Sequence, residues 1–537
     1  MTFDLEVLLR AEPLCLHNST TLSTSVLCLV NSFQMPNYQK FTLSLFYLWL
    51  ISISTGWAQD PAANDTIKDP PLVTTQHSVT VNGQVINYTA TTGYLVLRKE
   101  DQSPRAKLFF VAYTKNDEED PAQRPITFAF NGGPGSSSVW LHMGALGPQR
   151  VQMTEAGESL APPYATVDNE YSWLDKTDLV FIDPVETGFS RPAKGVKKKE
   201  FTGYEQDIES VGDFIRLYTS RNGRWSSPKF LAGESYGTTR AAGLSGYLQD
   251  RYGMYLNGLM LVSSILNFQT ARFGRGNDLP YALFLPTYAA IAHYHQKLPE
   301  MPADLPSFLD EVEDFAQGEY TNALMRGDSL PTEQQSAIID KLHRYTGLSK
   351  EYIEDVHYRI HISRFVKELR RDEGITVGRL DGRLTGRDYD DAGEFYDFDP
   401  SLDGTISGPY TAALNAYLHD ELNYQNDLPY EILTGRVQPW DYSNVQNEFL
   451  NVAETLREAM TKNPFLKVHV FNGYYDLATP YFATEYTFSH MYLNDSLADN
   501  VSMSYYRAGH MMYIHQPSLE KMKQRVGAFI DDAMAAE

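Results

Sequence analysis

The chain has 537 residues, 42% hydrophobic and 21% charged. That suits one large domain with an insertion, or two domains, and allows a sizeable core. The net charge is −23, and the only basic run, Lys194–Lys199, is short, which argues against a nucleic-acid binder.

From Met35 the chain reads MPNYQKFTLSLFYLWLISISTGWAQD. Lys40 supplies a positive start, residues 41–53 an apolar run, and Gly56-Trp57-Ala58 a small-residue cleavage site. The expectation is a signal peptide beginning near Met35, with residues 1–34 an upstream extension and Gln59 the first mature residue. The run is short for a span of about 20 residues, so the mature chain is expected to carry no stable membrane span. The expected destination is the periplasm or the exterior. Both cysteines, Cys15 and Cys28, precede that point. A mature chain without cysteine excludes a thiol nucleophile, a cysteine zinc site and an iron–sulfur cluster.

Residues 60–71 read as a polar, Pro-rich tether. Val85–Thr92, Gly93–Leu97 and Lys107–Tyr113 alternate apolar and polar residues, as an antiparallel edge meander does. Ile126–Phe130, Leu179–Ile182, Phe230–Ala232 and Leu256–Val262 are continuous apolar runs, as in a parallel sheet covered on both faces. Between them, Ile208, Val211, Phe214, Ile215 and Tyr218 fall on one helical face. Strands alternating with helices predict an α/β, doubly wound, mostly parallel sheet over 59–268. From 269 to 454 helical patterns dominate, broken by an acidic, turn-rich stretch at 378–408, and predict a mainly helical cap insertion. The core pattern resumes over 455–537, with strands Phe465–Phe471 and Val501–Tyr506 and a closing amphipathic helix, Pro517–Met534.

The strongest local signal is Gly233-Glu234-Ser235-Tyr236-Gly237, between an apolar strand and a helical pattern. G-x-S-x-G in that setting is the nucleophile elbow of the α/β-hydrolase fold. A serine hydroxyl needs a base, and the base an orienting carboxylate, in the chain order Ser, Asp or Glu, His. Asp476 follows strand 465–471 and His510 follows strand 501–506, where catalytic groups of such sheets gather. Asn131-Gly132-Gly133-Pro134-Gly135 follows strand 126–130 and offers backbone donors free of side chains. The expected oxyanion hole is the N–H of Gly133 and of Tyr236. A phosphate loop fails on spacing, because no Lys follows the glycines.

In chain order, NGGPGSSS, Leu146-Gly147-Pro148, Tyr171-Ser172-Trp173, FIDPVETGFS, GESYG, FNGYYD and AGHMMYIHQP resemble the motifs of the serine carboxypeptidase family, in a bacterial-type member without the usual cysteines. The resemblance covers about residues 80–268 and 455–537. It implies an exopeptidase acting on the C-termini of peptides and proteins, commonly at acid pH and without cofactor. Ser235 would be its nucleophile, His510 its base and Asp476 the orienter. Asn131, Gly132 and Glu234 match positions that hold the substrate's terminal carboxylate. A protonated Glu234 can donate to a carboxylate, but only below its pKa.

The sequence departs from the family's pattern in four places. Ala129 stands for a Trp, Ala145 for the acidic partner of the clamp glutamate, Ser136 for a Cys and Glu186 for a Gly. The first two changes remove part of the carboxylate clamp, so a serine esterase or acyltransferase on the same triad is the alternative. Arg240, one helical turn beyond the nucleophile, is expected on the helix surface, with replacement of the lost clamp charge as its other reading. His357 and His361 lack H-E-x-x-H, and His293 and His295 are expected at the cap surface. The acidic cluster Asp388–Asp399 lacks calcium-loop spacing, and no metal is expected. Its aromatics Tyr389, Phe395, Tyr396 and Phe398 are expected to pin the loop to the cap.

Overall fold

A computed structural model describes residues 69–535. The expected signal peptide and both cysteines lie outside the described residues. The chain builds one large sheet from β1 (Val73–Val81), β2 (Gln84–Arg98), β3 (Pro104–Lys115), β4 (Ile126–Phe130), β5 (Asp178–Ile182), β6 (Lys229–Ser235), β7 (Gly258–Ser264), β8 (Lys467–Gly473) and β9 (Val501–Tyr506). Their order is β1-β2-β3-β5-β4-β6-β7-β8-β9, with Arg191–Pro192 added beside β3. The first three pair antiparallel, β3 meets β5 antiparallel, and the strands from β5 to β9 run parallel.

The parallel strands are apolar throughout because each feeds two cores. Phe230, Met260 and Phe471 face the closing helix, while Leu231, Leu261 and Val470 face the opposite layer. That layer holds α1 (Tyr204–Arg221), α2 (Tyr236–Tyr252) and, late in the chain, Ala453–Lys462. α1 buries Ile208, Val211, Phe214 and Ile215, the face its periodicity marked. The closing helix, Gln516–Ala535, buries Met522, Val526, Phe529 and Ile530 on the other side. Helices on both faces of a mostly parallel sheet make this an α/β-hydrolase fold.

Two details of the edge differ from expectation. β2 runs unbroken through Gly93, which pairs with Phe110, because a side chain at 93 would meet Leu72 and glycine has none. β1 escaped the sequence pattern because only Val79 and Val81 are buried along it.

Between β7 and Ala453 the chain forms a helical layer with its own core, including Leu285, Ile291, Val312, Leu342 and Phe365. The acidic stretch is tied to it by the pairs Lys367–Asp388 (3.0 Å) and Arg364–Glu394 (2.9 Å). Its aromatics behave differently from expectation. Tyr396 packs on the cap core, but Tyr389 is 91% exposed and Phe395 51% exposed, so charge rather than these two rings anchors the loop. Among the described residues no helix is long and apolar enough to cross a membrane.

Two segments of the insertion bind the core directly. Thr434 N–H donates to Gly135 O (3.0 Å), and Ser137 N–H to Ile432 O (2.8 Å). Backbone pairing thus holds the glycine loop at Ser136, where no cysteine is available. Residues 379–382 lie between the loops after β8 and β9. Leu477 N–H donates to Arg379 O (3.0 Å), His510 N–H to Leu380 O (2.6 Å) and Gly382 N–H to Tyr475 O (2.9 Å).

Candidate active site

Ser235 stands between β6 and α2 with φ 59° and ψ −127°. A non-glycine residue there is strained, and such strain persists only where the surroundings enforce it. Here β6 must turn at once into α2, and neighbouring backbone leaves no slack. A Cβ on Gly233 would lie 2.2 Å from Gly237 O, and one on Gly132 would lie 2.4 Å from Tyr236 N. The glycine loop therefore presses directly against the elbow, placing Gly132 and Gly133 beside the first N–H groups of α2. Those N–H groups and the positive helix end favour negative charge at this point.

Asp476 is fully buried on the loop after β8. Its Oδ1 accepts from the N–H of Ala478 (2.7 Å) and Thr479 (3.0 Å), and its Oδ2 from Thr479 Oγ1 (2.7 Å). The same Oδ2 lies 2.7 Å from His510 Nδ1. An ionised Asp476 fixes the proton on Nδ1 and leaves Nε2 as the free base. Burial alone would lower the His510 pKa, but the Asp476 charge and hydrogen bond, aided by Glu234, raise it overall. His510 O is held by Ser263 Oγ (2.6 Å).

Ser235, His510, Glu234, Gly132 and Gly133 line one cavity of about 170 Å³. The insertion closes it with Arg379, Leu402 and Ile406. A second cavity opens on the other side of Ser235, lined by Tyr236, Phe268, Arg272 and Tyr442 and sharing Gly133 and Arg379 with the first.

Glu234 is buried and pushed up to about 7, chiefly by loss of solvent and further by the Asp476 charge, against opposing effects of His510, Tyr513 and Asn131. Its Oε2 accepts from Tyr513 Oη at 2.5 Å. Ala145 indeed offers no acidic partner; Tyr513 takes that place. Gly144 makes the room, since a Cβ there would sit 2.4 Å from the Tyr513 ring and 2.6 Å from Tyr410 Oη. Sequence reasoning missed Tyr513, although it lies within the AGHMMYIHQP motif that supplies His510.

Arg240 corrects both of its expected readings. It is 1% exposed, so it is no surface residue, and it does not enter the clamp. Its Nε donates to Asp207 Oδ2 (2.8 Å) and its Nη1 to Asn131 O (2.6 Å). It positions the glycine loop from below. Asn131 Oδ1 accepts from Leu141 N–H (3.1 Å), and its side chain faces Glu234. Glu186 is buried and bonded to Arg436 (2.6 Å). His293 and His295 are half-buried rather than superficial, and His295 Nε2 lies 2.6 Å from Gly382 O. Among the described residues, no three His, Cys, Asp or Glu side chains gather as a metal site would require.

Comparison with known proteins agrees with this geometry. A family model described as serine carboxypeptidase matches residues 81–272, the stretch that holds the glycine loop and the elbow. Over that stretch the chain is similar to the serine carboxypeptidases. Pheromone-processing carboxypeptidase KEX1 of Saccharomyces cerevisiae is 36% identical over 155 residues, 27% of this chain and 20% of that protein. Carboxypeptidase Y of the same yeast is 30% identical over 175 residues, 32% of this chain and 27% of that protein. The chain thus matches between a fifth and about a quarter of the length of these relatives. The crystal structure of the yeast prohormone-processing carboxypeptidase Kex1(Δ)p superposes with a TM-score of 0.52 at 19% identity, covering 83% of this chain and 92% of that one. At that identity the likeness concerns the fold.

Proposed function

We propose that this protein is a serine carboxypeptidase that removes C-terminal residues from peptides through an acyl-enzyme at Ser235. One observation carries the reading: Ser235 and His510 share a cavity with Glu234, a buried carboxyl pushed up to about 7. A carboxyl that keeps its proton near neutrality donates to a substrate carboxylate instead of repelling it. The names of the matched relatives support the same reading.

The chemistry runs as follows. Ser235 Oγ attacks the scissile carbonyl while His510 Nε2 takes its proton. The N–H groups of Gly133 and Tyr236 stabilise the oxyanion. The C–N bond then breaks, and His510 returns the proton to the leaving amine. Water, activated by His510, hydrolyses the ester and releases the shortened peptide. The leader sequence supports export to the periplasm or the exterior as part of this proposal.

The test is hydrolysis of N-blocked dipeptides with a free C-terminal carboxylate, against their amides, from pH 4 to 8, with Ser235→Ala as the blank. Cleavage of the free acids, absent in the variant, is expected. Turnover of simple esters with no cleavage of free acids would replace the reading by a serine esterase or acyltransferase, the activity that loss of an acid at Ala145 would leave.

A further inference from the structure

His510 must protonate the leaving amine, so the leaving residue occupies the cavity that His510 lines. That is the cavity with Glu234, Gly132 and the insertion's Arg379. The acyl side chain then points to the cavity with Tyr236 and Phe268. Arg379 lines both and stands where they meet at Ser235.

Its placement is fixed at the backbone. Its N–H donates to Asp399 Oδ1 (3.1 Å) and its carbonyl accepts from Leu477 N–H (3.0 Å), so the segment is held by a buried Asp on one side and the Asp476 loop on the other. Yet its guanidinium, half-buried, makes no hydrogen bond or ion pair among the described residues. Nearby, Arg240 is paired with Asp207, Arg383 with Asp381 and Arg436 with Glu186. In a chain of net charge −23, an arginine on a fixed backbone that lines both cavities without its own counter-ion is matched to an anion that arrives from outside. Its positive charge also acts on His510, opposing imidazolium formation.

We infer that Arg379 binds the free C-terminal carboxylate of the substrate, opposite Glu234 and Gly132, and so adds a charged donor from the insertion to the carboxylate clamp. This rests on the carboxypeptidase reading and goes beyond it by assigning the ligand of a cap residue. Arginine stays charged at all working pH, so this contact persists where Glu234 has lost its proton.

The test is binding rather than turnover. In the full chain carrying Ser235→Ala, calorimetry compares an N-blocked dipeptide free acid with its amide. The free acid is expected to bind at least about tenfold tighter, the scale of one charge-assisted contact. Adding Arg379→Gln should bring the two affinities together, and Arg379→Lys should restore part of the preference. Three results overturn the inference: a preference for the free acid unchanged by Arg379→Gln, an equal weakening of acid and amide, or a loss confined to peptides with Glu on the acyl side. Arg379-dependent binding of free acids that the wild type fails to cleave would sink the carboxypeptidase reading and leave the inference standing.

Discussion

At the scale of single residues, Glu234 and His510 form one titrating system. Reaction with a free acid needs His510 neutral, to take the serine proton, and Glu234 neutral, to donate to the carboxylate. Burial pushes Glu234 up to about 7, the Asp476 charge and hydrogen bond raise His510, and each acts on the other, so the two titrate as a coupled pair. Asp476, Tyr513 and Asn131 face Glu234, and Asp476 and Arg379 face His510. Tyr513 donates to Glu234, which favours its ionised form, so Tyr513→Phe should raise the Glu234 value above about 7. Neutral Glu234, the form that reacts, then persists to higher pH. The sign is definite: the high-pH limb of kcat/KM for free acids should shift upward in Tyr513→Phe, while esters, which present no carboxylate, should show no such shift. A limb that moves downward, or moves alike for both substrates, would mean that Tyr513 only packs. Nothing local in the sequence announced this pair, because Tyr513 and Glu234 lie 279 positions apart. The triad was legible because each member ends a strand whose apolar run shows by itself. Arg240 was misread because helical position alone does not reveal that α1 presents Asp207 to it.

At the scale of elements, the site depends on the glycine loop after β4 fitting against the start of α2. Gly132 is the closest approach, and a Cβ there would lie 2.4 Å from Tyr236 N and 2.8 Å from Glu234 O. Both are backbone atoms, so neither can rotate away. Gly132→Ala must push the loop off the elbow and spread the Gly133 and Tyr236 donors. Loss of one such donor costs about 10²–10³ in kcat, and a loss of that size is expected with the fold retained by circular dichroism. A variant within about threefold of wild type would show that the oxyanion donors lie elsewhere. Loop and elbow were both readable because their glycines sit next to strands with strong patterns. What held the loop was not readable. Its pairing with Ile432 and Thr434 comes from an irregular segment some 300 residues later, and backbone hydrogen bonds of that kind leave no periodic trace.

At the scale of the whole molecule, the insertion is a structural part of the catalytic centre. Residues 379–382 connect the Asp476 loop to the His510 loop, and Asp381 is the pivot. Its Oδ2 accepts from Gly509 N–H (3.0 Å), beside His510, and also from Arg383 (2.7 Å). The change from sheet to helix pattern after β7 was visible in the sequence. This strap was not, because it lies in the acidic, turn-rich stretch whose composition reads as a solvated loop. Asp381→Ala removes the acceptor beside His510 and strands the Arg383 guanidinium, whose side chain is 7% exposed. Breaking a buried pair from one side costs about 3–5 kcal/mol, so urea unfolding should show a loss of that order together with a fall in kcat. The two effects have different origins and should separate. Asp381→Ala combined with Arg383→Ala removes the stranded charge and should recover part of the stability. It cannot restore the bond to Gly509, so kcat should remain low. Recovery of kcat together with stability would show that the strap supports the fold alone. Low kcat in a restabilised double variant would show that the insertion holds the catalytic histidine in place.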